Sequence, residues 1–595
     1  MKLKQKTLEL LSRYRVGVIV FVLYVILTII FTYPVAFSAN TIPGHGGDGY
    51  WFLWDLWTFK NAVFAHTNPL VTPYIFYPVG VSLAFSTTSI FNAALSVPLQ
   101  LIWDLPHAYT FLWLMSFVLS GCGAFLLLRY LGVSTKVAFI SGLIFMFSPY
   151  RFAHWMGQLN MMTTEWIPFY ALFFLKTLRA HKRSDPVIAG LFLSLAAFSD
   201  FYYVIYLVVF SILAAAYYFW RERQHASFTG ILKRTALTFV VFGALVSPLL
   251  IPMLQELLHG GYMYSLYGWF SVYSADLVAF FIPASYHPLL GPEVAPLYSH
   301  FVLGNGGNLT EGTVFIGYVG LALSIIAIIK QRTHDVWFWA VALGVFLVLS
   351  LGPELRANGL VHVPSTVPYL HNATIHLPYA ALWDLPVFSI ARVPSRWDVM
   401  VMLCVAVLSG FALQYLVNRS QAPGRIVSKE NVLCVICAGL ILFEFLSVPY
   451  PTAPTTIPAF YENIASDPGN YAIFEVTSEP NATIMYYQTI HQKPLVNGYV
   501  SREPPQARQF IETEPVARFL YHIQDITPNN TSVNVTDLNP SVLSHYNIKY
   551  VIVHQESLTP RQVGLIVRLF NNTPQETPLI YKEGPMIVYA TQPRE

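Results

Sequence analysis

Long apolar runs recur along this chain, separated by short polar stretches. A membrane-spanning helix needs about 20 mostly apolar residues. Runs approaching that length lie near 16–33, 108–129, 136–150, 163–178, 187–200, 202–219, 235–253, 313–330, 336–351, 397–417 and 431–448. Several are short, which predicts tilted helices or helices flanked by interfacial residues. A further apolar run at 87–103 reads as a partial insertion. After 450 the pattern changes. The Pro-rich "VPYPTAPTTIPAF" reads as a linker. Beyond it, "YAIFEV", "YVIVH" and "MIVYA" read as strands and "PRQVGLIVRLF" as one amphipathic helix. The pattern predicts a polytopic α-helical membrane domain over 1–449 and a soluble α/β domain over 450–595.

Charge then assigns sides. Lys and Arg cluster at 2–15, 129–136, 179–183, 221–234, 330–332 and 419–429. With a cytoplasmic N-terminus, eleven crossings and a non-spanning 87–103, every cluster falls on the cytoplasmic side, as the positive-inside bias requires. The loops 34–107, 151–162, 254–312 and 352–396, a short turn near 200 and the tail after 448 then lie outside. Most Asn-x-Ser/Thr sequons fall in those outer regions, at Asn308, Asn372, Asn481, Asn529, Asn530, Asn534 and Asn571, with Asn418 inside. The expected location is therefore the plasma membrane, with the C-terminal domain extracytoplasmic.

Composition agrees. Only 11% of residues are charged, against about 25% in soluble domains. Aromatics at 15% suit a protein with much membrane–water interface. A net charge of +3 gives no reason to expect nucleic acid. The four cysteines, Cys122, Cys404, Cys434 and Cys437, lie within apolar segments, and Cys434-x-x-Cys437 reads as two small helix residues.

The polar residues that interrupt this pattern gather in the outer loops. In "TIPGHGGDGYWFLWDLW", Thr41 to Trp57, a Gly-rich bend precedes Asp48, and Asp55 follows two helical turns later on the same face. Trp51, Trp54 and Trp57 predict an interfacial helix with its aromatics toward lipid headgroups, and Asp48 also suits its N-cap. The second outer loop, Tyr150 to Phe169, holds Arg151, His154, Gln158, Asn160 and Glu165. Asp200 fits a helix-capping turn. Asp276, His287 and Glu311 mark the loop 254–312. In "FSIARVPSRWDVM", Arg392 and Arg396 stand where positive charge is disfavoured, and their guanidinium forks suit phosphate.

The early Asp48, the element "FYPVG" (Phe76 to Gly80) and the short apolar run after it resemble the GT-C glycosyltransferases in layout. These include oligosaccharyltransferases, protein mannosyltransferases and lipid A aminoarabinose transferases. The resemblance implies a polytopic enzyme that takes sugar from a polyprenyl-phosphate donor and passes it to an extracytoplasmic glycan, lipid or protein. It implies Asp48 as catalytic base, with inversion at the sugar. Asp55, His154, Gln158, Asn160, Glu165, Arg392 and Arg396 are then the expected substrate-binding residues. A divalent cation, Mg or Mn, is the cofactor that the resemblance allows, with Asp48, Glu165 and His154 as its ligands. The oligosaccharyltransferase pattern of paired acids in the second loop is not met, since Glu165 stands there alone. The competing readings are a non-catalytic glycolipid-binding scaffold and a lipid or polysaccharide transporter.

Overall fold

The computed structural model describes residues 2–154, 157–222, 228–259, 267–361, 374–382, 385, 388, 391–420, 429–478, 482–526 and 535–591. The sequons at Asn372, Asn481, Asn529, Asn530 and Asn534 lie outside the described residues. Two compact units emerge: 1–45 with 110–248 and 264–453, and 46–109 with 249–263 and 454–595.

The first unit is helical. All eleven predicted runs contain helix, from Lys2–Phe31 to Lys429–Glu444. Four described helices are long and apolar enough to cross a membrane: Leu105–Tyr130, Phe201–Arg221, Phe228–Leu258 and Pro394–Arg419. The remaining apolar helices run 10–17 residues. The chain is a membrane protein whose helices differ widely in how far protein covers them. The Pro394–Arg419 segment is 83% buried, whereas Phe228–Leu258 is 17% buried. The first forms the unit's core because Val399 to Leu408 carries no charge and tolerates protein on every side. Neighbours approach it closely through small residues: a Cβ on Gly320 would stand 2.8 Å from Val405.

Loops assigned to one side of the membrane meet each other at one end of this unit. Asp335 pairs with Arg179 at 3.2 Å and Arg221 at 3.0 Å. Lys136 approaches Glu430 at 3.6 Å. The loops assigned to the opposite side meet at the other end, described below. The "VPYPTAPTTIPAF" stretch is not a free linker at its start: Tyr450 N–H donates to the Tyr33 carbonyl and Gly44 N–H to the Pro451 carbonyl.

The second unit contains a four-stranded sheet of β1 (Ala472–Val476), β2 (Ile548–His554), β3 (Leu579–Glu583) and β4 (Met586–Ala590), in the order β1-β2-β4-β3. β1 and β2 are parallel and the other pairs antiparallel. The amphipathic stretch forms the helix Pro560–Asn571, started by a Thr559–Gln562 capping box. Phe570 stacks on Tyr589 at 4.1 Å, fixing that helix on β4.

The helix Asp48–Phe64 belongs to this unit, and its tryptophans do not face lipid. Trp51, Trp54 and Trp57 are buried. Two of the indole N–H groups find internal acceptors: Trp51 donates to the Tyr499 carbonyl at 2.9 Å and Trp54 to Gln488 Oε1 at 2.7 Å. The apolar run at 87–103 forms only a ten-residue helix, Ile90–Leu99, short of the length that a span needs.

A buried polar triad sits at the carboxyl ends of the parallel strands. Glu475, on β1, accepts from Tyr461 at 2.9 Å and pairs with His554 of β2 at 2.9 Å. Burial alone would lower the His554 pKa, but Glu475 and Glu556 outweigh it and raise it from 6.5 to about 9. A pKa raised on folding means stability that is fully present below pH 6.5 and lost as pH climbs through about 9. Amide exchange in β1 and β2 of the full-length protein is expected to accelerate across that interval beyond its intrinsic pH dependence. His554→Gln is expected to abolish the excess; an unchanged profile would disprove the assignment.

Candidate functional site

Four loops of the first unit converge on one buried ion pair. Arg396 lies in the turn Pro394–Trp397 that starts the core helix. Glu311 lies in the short turn Leu309–Gly312, and its own N–H is capped by the Asn308 side chain at 2.8 Å. The Arg396 guanidinium embraces the carboxylate, with Nε at 3.0 and 3.1 Å from its two oxygens and Nη2 on Oε1. Burial works against a charged Glu311, but Arg396 and then His154 hold its pKa below the usual range.

His154 brings the second outer loop to the pair, its Nε2 standing 3.9 Å from Glu311. Its Nδ1 lies 2.6 Å from the Tyr150 carbonyl, so Nδ1 carries the hydrogen and Nε2 is an acceptor. Nε2 has no hydrogen-bond partner. Burial, against the opposing pull of Glu311, takes the imidazole down to about 4, so it is neutral at physiological pH.

The turn at 200 completes the cluster. Asn160 donates to Asp200 at 2.6 Å, and Asp200 accepts from Tyr202 N–H at 2.7 Å. The Arg396 guanidinium lies 4.9 Å from the Tyr202 ring centre, closing the chain of contacts. Asp200 therefore acts both as the expected cap and as an anchor for the second loop. Gln158 begins the adjoining turn Leu159–Met162 and is half-buried.

One residue of the second loop is spent on architecture. Arg151 is fully buried, donates to the Met146 and Met162 carbonyls and to Ser116, and lies 4.1 Å over Phe117. Glu165 is buried at the start of the helix Trp166–Leu178. Arg392 is half-buried and lies 5.1 Å over Trp269. Asp276 clasps two loops, accepting from Val278, Asn358 and Gly359 N–H groups at 2.7–3.0 Å. His287 donates to the Phe443 carbonyl at 2.8 Å.

Asp48 and Asp55 lie in the second unit. Asp48 opens its helix after Gly44, Gly46 and Gly47, all in positive-φ conformations. A Cβ at Gly46 would come within 2.4 Å of the Tyr50 ring. Asp48 is half-buried at this bend. Asp55 is buried and accepts from Ser89 N–H at 3.3 Å, and burial raises its pKa to about 7 against the Ser89 and Thr88 hydrogen bonds. The two carboxyls thus occupy different surroundings despite their helical spacing.

Among the described residues no three of His, Cys, Asp and Glu converge on one point.

A family model described as a domain of unknown function, DUF6311, matches residues 16–376, more than half of the chain. The chain belongs to the DUF6311 family. No curated protein matches it. Among solved structures, this DUF6311 protein is similar to the arabinofuranosyltransferase AftD from Mycobacteria, at 12% identity and a TM-score of 0.58. That match covers 98% of this chain and 42% of the mycobacterial one, so the chain spans less than half of that enzyme. It is also similar to the Archaeoglobus fulgidus oligosaccharyltransferase, at 14% identity and a TM-score of 0.51, covering 97% of this chain and 74% of the other. The DUF6311 chain therefore has the GT-C glycosyltransferase fold.

The ion pair can be weighed directly. Arg396→Ala leaves Glu311 buried without its partner, which is expected to cost about 3–5 kcal/mol in thermal unfolding of the detergent-solubilised protein. Combining Arg396→Gln with Glu311→Gln is expected to recover part of that loss; additive losses would show that the pair is not coupled.

Proposed function

We propose that this protein is a membrane glycosyltransferase that takes sugar from a polyprenyl-phosphate donor and delivers it to a glycan, lipid or protein acceptor outside the cytoplasm. The observation that carries the reading is the buried polar cluster of Arg396, Glu311, His154, Asn160 and Asp200 at one end of a GT-C fold. Ionisable groups at a membrane boundary are costly, and a cluster of them with an unpartnered imidazole nitrogen suits work on a polar substrate.

In this reading the acceptor hydroxyl oxygen attacks the anomeric carbon as the carbon–oxygen bond to phosphate breaks. The polyprenyl phosphate leaves with the bonding electrons, and configuration inverts. Asp48, as carboxylate, takes the hydroxyl proton, a role worth about 10²- to 10⁴-fold. Arg392 is the principal cation for the leaving phosphate. Arg396 supports it through the N–H groups that Glu311 does not engage. The neutral His154 Nε2 accepts from a sugar hydroxyl, and Gln158 and Asn160 line the same polar surface. The N-terminus is cytoplasmic and the second unit extracytoplasmic.

The test is release of polyprenyl phosphate from a panel of polyprenyl-phosphate sugars by purified protein with candidate acceptors. Asp48→Asn is expected to lower kcat by about 10²- to 10⁴-fold with little change in donor KM. Arg392→Ala is expected to raise donor KM. EDTA decides the cofactor: loss of turnover restored by Mg or Mn would establish a divalent cation, and an unchanged rate would remove it from the mechanism. Full turnover by Asp48→Asn would overturn the base assignment, and donor binding without release by wild type would favour the scaffold reading.

A further inference from the structure

A groove of about 450 Å³ lies between three helices of the first unit that are far apart in the chain: Lys2–Phe31, Thr135–Met146 and Lys429–Glu444. The proposed chemistry does not use it. Its body is apolar. Val20, Ile140 and Cys434 are buried in it, while Ile19, Leu23 and Val435 are exposed along it, so the groove opens outward from the helices. The Tyr24 ring stacks on Phe139 at 4.8 Å, and its hydroxyl donates to the Phe139 carbonyl at 3.0 Å. That contact holds the first wall against the second.

Polar groups gather at one end. On each helix a polar residue precedes an apolar lining residue by four positions, and so shares its face: Arg15 before Ile19, Lys136 before Ile140, and Asn431 before Val435. Lys136 Nζ donates to Asn431 Oδ1 at 2.9 Å, which joins the second and third walls at this mouth. On the first wall the lining residues all precede Tyr24, the point of contact with Phe139, so Arg15 lies on the mouth side as well. Arg15, Lys136 and Lys429 are exposed. Glu430 approaches Lys136 at 3.6 Å and offsets one of these charges, which leaves the mouth net positive. Two of the helices also begin here, and their dipoles add to that sign.

An apolar slot with cations at one end matches an amphiphile with a hydrocarbon chain and a negative head. Lys and Arg reach along apolar surface to place their charge at headgroup level. Basic pockets between spanning helices select anionic headgroups, whereas a zwitterionic lipid brings the same chain without net charge. The mouth stands at the end proposed above to face the cytoplasm, where anionic lipids concentrate.

We propose that this groove binds an anionic phospholipid, with one acyl chain along Val20, Leu23, Ile140 and Ala438 and the phosphate at Lys136 and Arg15. The site is independent of the glycosyl-transfer reading, because none of its residues belongs to the candidate functional site.

The experiment is photolabelling of the full-length protein in phosphatidylcholine vesicles. The vesicles are doped with either phosphatidylglycerol or phosphatidylcholine bearing a diazirine on its acyl chain, and labelled peptides are mapped by mass spectrometry. Labelling of 16–23, 135–140 and 431–438 by the phosphatidylglycerol probe is expected to exceed that by the phosphatidylcholine probe severalfold. The helix Phe228–His259, whose span is only 17% buried, measures ordinary lipid contact in the same sample. Arg15→Gln combined with Lys136→Gln, changes at exposed side chains, should bring the two probes to equality on the groove peptides. Val435→Trp, also at an exposed side chain, should fill the groove and lower labelling of the other two walls. Groove labelling no denser than that of Phe228–His259, equal labelling by the two probes in wild type, or an unchanged preference in the double variant would each overturn the proposal. Cross-linked dimers whose groove peptides carry no lipid would overturn it too, by showing a second copy of the chain seated there.

Discussion

Taking a guanidinium and a carboxylate out of water costs several kcal/mol per ion, and only near-ideal geometry offsets it. The Arg396–Glu311 pair meets that demand with both carboxylate oxygens and two guanidinium nitrogens engaged. Each partner belongs to a different loop, and neither can leave without stranding the other. The pair thus fixes where the turn before the core helix meets the turn at Leu309–Gly312. His154 and Tyr202 take their positions from it, and Asn160 and Asp200 follow through Tyr202.

Other polar groups serve as fasteners around that point. Arg151 spans from Met146 to Met162 and so sets the path of the second loop. Asp276 binds three backbone N–H groups from two loops. These residues keep loops rigid at a boundary where backbone groups have few other partners. A rigid frame is what a site needs when its chemistry depends on placement more than on a strong acid or base.

Much of the fold was legible. Apolar length located the helices, because a membrane selects for it and little else mimics it. Charge bias grouped the loops into two sets, and residues within each set meet. Alternation and β-branching located β1, β2 and β4, while the more exposed "LIYKE" of β3 escaped notice. The aromatic helix was misread because an indole serves equally at a headgroup or against an internal acceptor. Only the fold supplies Gln488 and the Tyr499 carbonyl, more than 400 residues away. For the site, unusual positive charge drew attention to Arg396 for a phosphate, but its engagement by Glu311 depends on pairing across 85 residues, which spacing does not encode. The Glu475–His554–Tyr461 triad left no local signal for the same reason.

The burial of the indoles gives the protein a built-in optical label. Of the 13 tryptophans, Trp51, Trp54, Trp113, Trp339 and Trp397 are sealed within protein, while Trp220 and Trp337 are about half exposed. Fluorescence should divide accordingly into a blue, quencher-resistant population and one that brominated lipid can reach. Trp51 and Trp54 share a single helix with Asp48. These two protected indoles therefore report on the integrity of the segment that bears the proposed base, without any probe being attached.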